Sequence, residues 1–276
     1  MRRAFLVAAL GNYTHPHTRH SVRASLLAYL PATRELIQGR QIGLDVVEGL
    51  ASKAAYVASL ANSGTGSAAP LSPGAAFEQS KKLNGWLYSI DIPAPLKRTP
   101  PDQALRKRVQ DGGGKVAPPP VSPPAPSTPE LVTLHFFKPR ALMNVCGQPV
   151  SLAFRLLISN GGGRINDRAL LRRVVLVQDD VDLPAMRTRL KAKGSGNGHN
   201  GVRSVQRALG GASEMWQLRI GIGRPDSGSS SSRAPIDRWV LGKMSEEERE
   251  ACSFERGGKI IGEAWEALQK VILESR

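Results

Sequence analysis

The apolar residues of this chain are gathered into short runs that alternate with amphipathic stretches. Four runs of strand length are rich in Val, Leu, Ile and Phe and read FLVAAL, LVTLHFF, VVLVQ and LRIGIG. Helical patterns fall between or after them, at residues 21–30, 149–158, 202–209 and 246–273. Strands that are apolar on both faces and interleaved with helices predict an α/β fold: a single three-layer domain with a central mixed, mostly parallel sheet and flanking helices.

Two segments break this pattern. SGTGSAAPLSPGAA at 63–76 and DGGGKVAPPPVSPPAPSTPE at 111–130 are rich in Pro, Gly and Ser, a composition that cannot support a packed element. Between them, KKLNGWLYSIDIP at 81–93 has the alternating character of one or two strands. We therefore predict one domain over residues 1–276, interrupted at 61–130 by a Pro-, Gly- and Ser-rich, partly disordered insertion.

The balance of charge indicates an anionic partner. The chain has 38 Lys and Arg against 23 Asp and Glu, a formal net charge of +15, which favours nucleic acid or an acidic membrane surface without choosing between them.

The apolar runs are far too short to cross a bilayer, so we expect a soluble protein. The opening MRRAFLVAALGN is interpreted as a first strand rather than a targeting segment, which leaves a cytoplasmic or a mitochondrial location open. Cys146 and Cys252 imply no disulfide framework.

Each predicted strand ends in residues that could take part in chemistry. In open α/β sheets the ligand crevice lies beyond the carboxyl ends of the strands, so we expect such residues to converge there. The residues in question are Gly11 and Asn12, Lys138 and Pro139, Asp179 and Asp180, and Arg224 and Pro225.

Histidine and glycine are concentrated in two short stretches. HPHTRH brings together His15, His17 and His20, but their spacing matches no standard zinc pattern, and we predict no metal site. GSGNGHNGVRS at 194–204 surrounds His199 and Asn200 with glycines. Such a stretch suits either a mobile surface loop or a backbone that needs positive φ angles or close approach of a ligand.

Taken in order, these motifs resemble one family. The resemblance is carried by LGN with TRH at 10–20, KPRALMNVCG at 138–147, QDDVDLP at 178–184, RLKAKGSGNGHNGVRS at 189–204 and LRIGIGRP at 218–225. They are similar to the peptidyl-tRNA hydrolases of the bacterial type, in the version found in eukaryotic members. The resemblance covers roughly residues 4–30 and 131–245, and the succession of motifs is far more specific than any one of them.

The resemblance implies a hydrolase. Its substrate would be the ester that joins a stalled peptide, or an N-blocked aminoacyl group, to the terminal ribose of tRNA, cleaved by water without a metal or other cofactor. His20 would act as the general base that takes a proton from the attacking water. Asp179 would fix the tautomer of that imidazole and stabilise the imidazolium that forms.

The resemblance also implies substrate-binding residues. Asn12 would lie near the reacting centre, and Asn144 and Asn200 would bind the peptide or the ribose end, because amide groups recognise any main chain without reading its side chains. Met143 would form an adaptable apolar wall and His199 would line the crevice.

A basic surface for tRNA is implied as well. Lys191 and Arg219 would bind the 5′-phosphate of the tRNA end, with Arg189 and Arg203 extending the patch. The glycines at 194, 196, 198 and 201 would let the backbone approach the RNA, and the N-terminus of the helix that follows would favour negative charge. We expect the protein to act as a monomer.

Departures from the family pattern leave alternatives open. The spacing from Asn12 to His20 is shorter by two than is usual, and unusual residues stand at Ser21, Ala141, Leu142, Cys146 and Gln178. A catalytically weakened homologue that acts as an RNA-binding or splicing factor is therefore the main alternative. A Cys-dependent hydrolase built on Cys146 is a third possibility, but no paired base can be identified for it.

Overall fold

A mixed seven-stranded sheet forms the centre of the described structure. The computed structural model describes residues 2–11, 42–62, 76–96, 130–159, 167–224 and 244–275. The strand order in the sheet is β2-β3-β4-β1-β5-β7-β6. The strands are β1 (Arg3–Ala9), β2 (Glu78–Ser80), β3 (Gly85–Pro93), β4 (Leu131–Pro139), β5 (Val174–Asp180), β6 (Thr188–Ala192) and β7 (Trp216–Gly221).

The four predicted apolar runs form the four central strands of the sheet, β1, β4, β5 and β7. β4, β1, β5 and β7 pair in parallel, so their carboxyl ends lie along one edge of the sheet. The outer strands β2, β3 and β6 pair antiparallel. The predicted mixed sheet is confirmed, with its parallel part confined to the centre, where strands buried on both faces belong.

Helices cover both faces of the sheet. In the described residues they are α1 (Ile42–Asn62), α2 (Gly147–Ala153), α3 (Arg168–Leu171), α4 (Asn200–Ala208), α5 (Glu246–Ala251) and α6 (Lys259–Glu274). A 3-10 turn at Met143–Val145 precedes α2, and a π-helical turn at Phe154–Ile158 continues it. The helix expected at 21–30 lies outside the described residues. None of the described helices is both long and apolar enough to span a lipid bilayer.

The helix predicted over 246–273 is interrupted. α5 ends at Ala251, and α6 starts only at Lys259. Gly257 has a φ of 68°, which a helix interior does not allow, and a Cβ on Gly258 would lie 2.4 Å from the Ala251 carbonyl oxygen. The apolar periodicity continues through this break, so the pattern alone did not reveal it.

Alternate residues of each central strand point to opposite layers. Phe5 and Val7 pack with α1 and α6 on one face, while Leu6 and Ala8 pack with α2 and α4 on the other. Both clusters are fully apolar and buried, and the three-layer prediction is confirmed. The layer with α2 and α4 is the one that leads to the candidate site.

Part of the predicted insertion at 61–130 belongs to the sheet. β3 pairs with β4 along its whole length, from Gly85 opposite Pro139 to Pro93 opposite Leu131, and the Ala94 amide donates to the Glu130 carbonyl oxygen at 2.7 Å. The chain therefore leaves the sheet after Ala94 and rejoins it at Glu130, at adjacent points. Those points lie at the amino end of β4, opposite the edge where the parallel strands end.

Candidate active site

The carboxyl edge of the parallel strands gathers several of the polar residues singled out by sequence. Asp179 stands at the end of β5, and the 3-10 turn with Met143 and Asn144 follows β4. α4 starts at Asn200, with His199 as its N-cap. These segments are distant in the chain and meet at the position where α/β sheets bind ligands.

His199 is held at both ring nitrogens. Its Nδ1 accepts a hydrogen bond from the Val202 amide at 3.3 Å, and its Nε2 lies 3.3 Å from Oδ1 of Asp179. Because Nδ1 is an acceptor, the neutral ring carries its proton on Nε2 and donates it to Asp179. The His199 and Asp179 side chains are only 10% and 13% exposed. The sequence did not predict this contact, because Asp179 was expected to pair with His20 only.

The backbone of the glycine loop that leads into α4 is constrained by positive φ angles and by close neighbouring atoms of the protein. Gly194 and Gly198 have φ angles of 106° and 86°, which side chains rarely adopt. Gly196 and Gly201 are limited by space instead, because a Cβ on them would lie 2.7 Å from Val202 and 3.0 Å from Met143. The Gly194 carbonyl oxygen also accepts side-chain amide hydrogen bonds at 3.0 and 2.9 Å, from Gln206 and Gln217. The loop is therefore anchored at its start.

Asn144 and Asn200 are both exposed and are carried by segments that touch. The Cys146 thiol donates to the Met143 carbonyl oxygen at 3.0 Å and to that of Gly201 at 3.7 Å, which joins the 3-10 turn to the first turn of α4. The Asn200 side-chain oxygen accepts a hydrogen bond from the Arg203 guanidinium. Its amide nitrogen is thereby turned away from Arg203.

Cys146 has the environment of a structural thiol. It is fully buried, and burial raises its pKa to about 12. A nucleophilic cysteine needs a thiolate near neutral pH, usually stabilised by a nearby cation. The Cys-dependent alternative is therefore not supported by the described residues.

Lys191 and Arg219 lie on the same face of the sheet. Arg189 is opposite Arg219 in the β6–β7 ladder, so Lys191 is its diagonal neighbour, about 7 to 8 Å away. Lys191 Nζ donates to the Ser195 carbonyl oxygen at 2.8 Å. Arg219 is only 9% exposed and forms an ion pair with Asp180. The sequence indicated Asp180 only as a strand-end residue. In the β5–β7 ladder Arg219 lies opposite Gln178, two positions before Asp180, so the ion pair is a diagonal contact that depends on the register of the two strands.

One strand-end residue expected in the crevice, Lys138, points elsewhere. Lys138 forms an ion pair with Glu48 of α1 and its Nζ lies 4.1 Å from the centre of the Phe77 ring. It points to the α1 layer because it shares the pleat direction of Phe136. Arg224 is exposed and pairs with Asp182 at 2.5 Å. The expected convergence of strand ends is wrong for Lys138, whereas Arg224 stays at the carboxyl edge, beside Asp182 just after β5.

Asn12 and His20 lie outside the described residues, as do His15 and His17. Gly11 is described and lies two residues after the end of β1; the amide of Leu10, between them, donates to the Val177 carbonyl oxygen at 2.8 Å. Among the residues that the structure describes, no group of three or more His, Cys, Asp or Glu could hold a metal ion.

Comparison with known proteins identifies the family. The model of the family described as peptidyl-tRNA hydrolase matches residues 127–275, more than half of the chain. The chain belongs to the peptidyl-tRNA hydrolase family. The match starts just before β4, yet β1 and β3 pair directly with β4 and complete the same sheet.

Relatives in this family are moderately similar. The chain is 39% identical over 131 residues to a peptidyl-tRNA hydrolase from Dehalococcoides mccartyi, covering 48% of this chain and 60% of that protein. It is 40% identical over 114 residues to one from Geobacillus kaustophilus, covering 41% and 53%. The chain thus spans between half and three fifths of the length of these curated relatives. One from Desulfitobacterium hafniense is 28% identical over 178 residues, which is 78% of that protein.

The fold matches solved structures of the same family. A crystal structure of peptidyl-tRNA hydrolase from Acinetobacter baumannii superposes with a TM-score of 0.52 at 19% identity, covering all of this chain and 93% of that one. At this identity the likeness speaks for the fold, and the chemistry has to be argued from the site.

Proposed function

We propose that this chain hydrolyses the ester between tRNA and a peptide, or an N-blocked aminoacyl group, and releases free tRNA. The observation that carries the proposal is the arrangement of Asp179, His199, Asn200 and the Met143–Val145 turn at the carboxyl edge of the sheet. Membership of the peptidyl-tRNA hydrolase family supports it. The reaction would take place in the cytoplasm or in mitochondria, with the protein as a monomer.

In this proposal His20 is the general base. An imidazole with a pKa near the working pH can take a proton from water as the water attacks the ester carbonyl, a contribution of about 10² to 10⁴ in rate. Asp179 orients the ring and stabilises the imidazolium. A carboxylate accepts several hydrogen bonds, so the bond from His199 leaves capacity for one from His20.

The geometry of His199 argues against its being the base. With Nδ1 accepting the Val202 amide and Nε2 donating to Asp179, the neutral ring has no free lone pair to accept a proton from water. Its proposed role is to hold the Asp179 carboxylate in place and to start α4 at Asn200. That role makes it a positioning residue.

The remaining site residues would bind the acyl-tRNA end. Asn144 and Asn200 present exposed amides from two segments in contact, which suits recognition of a peptide main chain or the ribose. Asn12 would donate to the oxyanion that develops on the ester carbonyl. Met143 packs beside Gly201 and would form an apolar wall of the crevice.

Lys191 and Arg219 would bind the 5′-phosphate of the tRNA. The ion pair with Asp180 fixes the Arg219 guanidinium through Nε, which leaves its terminal nitrogens to donate to a phosphate. Exposed Arg189, opposite Arg219 in the ladder, would add a further phosphate contact. The tRNA is the only partner that the proposal requires.

The test follows ester cleavage of an N-acetylaminoacyl-tRNA by the wild type and by His20→Ala, with and without a chelator. We expect turnover that survives the chelator and a loss of about 10² to 10⁴ in kcat for His20→Ala, since the base is removed. His199→Ala should lower the rate while keeping the pH profile of the wild type, because the base is still present.

His135→Gln is the matched control. His135 lies on β4, where its Nδ1 is hydrogen-bonded to Ser89 at 2.8 Å, so its loss should leave kcat unchanged. Salt-sensitive retention of tRNA without turnover by any form would overturn the enzyme proposal in favour of an RNA-binding protein. An unchanged rate in His20→Ala would overturn the assignment of the base.

A further inference from the structure

Charge is divided unequally between the two faces of the sheet. Segments 81–84, 140–159 and 187–209, on the side of α2 and α4, hold ten Lys and Arg and no Asp or Glu. The helical segments 42–62 and 244–275, on the opposite side, hold ten Asp and Glu and five Lys and Arg. The net positive charge of the described chain is therefore concentrated on the face that carries the candidate site.

A groove lies on this basic face, between the β2–β3 turn and α2. Its volume is about 350 Å³. Two amide side chains and a guanidinium supply its hydrogen-bond donors: Asn84, Gln148 and Arg155. The lining residues are Leu83, Asn84, Gln148, Pro149, Ser151, Leu152, Arg155 and Ala208.

Further cations surround the groove, and no acid of the described residues pairs with them. Lys81 and Lys82 are exposed in the turn itself, and the Arg140 amide donates to the Asn84 carbonyl oxygen at 2.8 Å. None of these cations, nor Arg155 in the lining, forms an ion pair with an acid within the part of the chain that the structure describes. By contrast, Lys138 on β4 and Arg219 on β7 are each paired with an acid. Clustered cations that no described acid neutralises favour a polyanion.

The groove lies on one side of the candidate site, and the surface formed by Lys191 and Arg219 lies on the other, towards the opposite end of the sheet. The β2–β3 turn ends at Gly85, opposite Pro139, and so lies at the carboxyl edge of β4, where the site is. β3 and β6 are five strand positions apart in the sheet order, about 24 Å at the usual strand spacing. A single phosphate cannot contact both surfaces, whereas a polynucleotide backbone can.

We propose that the groove at Asn84, Gln148 and Arg155, with Lys81 and Lys82 on its rim, binds the phosphate backbone of the tRNA substrate at a second place, away from Lys191 and Arg219. The identity of the RNA rests on the proposed function. Arginine and amide donors bind phosphate and ribose oxygens without reading sequence, as an enzyme acting on all tRNAs requires. Leu152, 36% exposed, adds an apolar surface for a ribose.

The experiment compares the triple variant Lys81→Gln, Lys82→Gln and Arg155→Gln with a control of equal charge change, Lys259→Gln, Lys270→Gln and Arg172→Gln. The control residues are also exposed, and its two lysines lie on α6, on the other face of the sheet. Binding of deacylated tRNA is measured over a series of salt concentrations. KM and kcat are measured on N-acetylaminoacyl-tRNA and on the same acyl group attached to a short 3′-terminal oligonucleotide.

For the groove variant we expect tRNA binding to weaken about tenfold and the slope of log affinity against log salt to fall by about two to three. KM should rise on the full tRNA with kcat unchanged, and the short substrate should be unaffected. The control variant should differ little from the wild type.

Equal effects in the two variants would overturn the proposal, because only overall charge would then matter. An equal rise in KM on the short substrate, with normal binding of deacylated tRNA, would assign the groove to the acyl end instead. If the wild type binds tRNA but has no turnover, the proposed function fails while the binding series still decides the groove.

Discussion

The pKa of Asp45 is set more by burial of its carboxyl group than by the positive charges around it. It lies in the first turn of α1, beside a cavity of about 520 Å³ that Glu48, Lys138 and Arg249 also line. Burial raises the pKa of its carboxyl group from 3.8 to about 6, and Glu48 adds to this rise, while Lys138 and Arg249 act against it. The ionised carboxylate therefore destabilises the folded state at neutral pH.

Replacing Asp45 by Asn should change how stability depends on pH. Between about pH 4 and pH 6 the folded wild type binds a proton that the unfolded chain has lost, so its free energy of unfolding falls as pH rises through this window. Asp45→Asn lacks this loss and should be more stable above pH 6, by up to about 2 to 3 kcal/mol, with no difference below pH 4. Urea denaturation at several pH values across this window measures the difference in the free energy of unfolding. Asp182→Asn, at a half-exposed site, is the control, and equal curves for all three proteins would contradict the prediction.

The elements that form the site are held together by one very close helix contact. The Gly147 amide donates to Ser204 Oγ at 2.9 Å, and Ser151 Oγ donates to the Ala208 carbonyl oxygen at 3.3 Å, so α2 and α4 run side by side. A Cβ on Gly147 would lie 2.1 Å from the Ser204 carbonyl oxygen. Only glycine lets the turn with Asn144 approach the helix that carries Asn200.

Gly147→Ala should force α2 away from α4. We expect a loss of about 1 to 3 kcal/mol in the free energy of unfolding, typical of overpacking, together with a raised KM because Asn144 moves relative to Asn200. Denaturant titration and steady-state kinetics measure the two effects. Gly262→Ala in α6 meets nothing within 4 Å and should stabilise the protein by about 0.5 to 1 kcal/mol. Loss of stability in both variants would contradict the prediction, because the close contact exists at Gly147 and not at Gly262.

At the scale of the whole molecule, the site and the two junctions that flank 97–129 lie at opposite ends of the parallel strands. The junctions follow β3 and precede β4, where Ala94 and Glu130 are joined by a backbone hydrogen bond. The sheet is thus continuous across the points where this segment departs. The site depends on the other ends of the same strands.

A variant in which a short Gly/Ser turn replaces 97–129 should therefore fold and keep the kcat of the full chain. Shortening a loop lowers the entropy lost on closing it, so the free energy of unfolding should be unchanged or higher by about 1 to 2 kcal/mol. Denaturation and the ester-cleavage assay test this. Loss of cooperative unfolding would mean that the segment contributes to the core, and loss of tRNA binding alone would assign it a role with RNA.

The sequence by itself determined the central strands and the order of the motifs. β1, β4, β5 and β7 were evident because burial on both faces leaves an unbroken apolar run, a property of each segment alone. β6 was missed as a strand, since its edge position leaves it only partly buried. The motif order was sufficient to predict the family before the fold was known.

The tertiary structure decided which side chains meet. The contact between Asp179 and His199 crosses twenty positions, and that between Asp180 and Arg219 joins two strands, so neither appears in local periodicity. Whether Lys138 faced the site or α1 depended on the pleat direction, which one residue of register reverses. Local pattern reports how much of a side chain is buried, whereas its partner is set by strand order, register and helix placement, and these exist only in the folded chain.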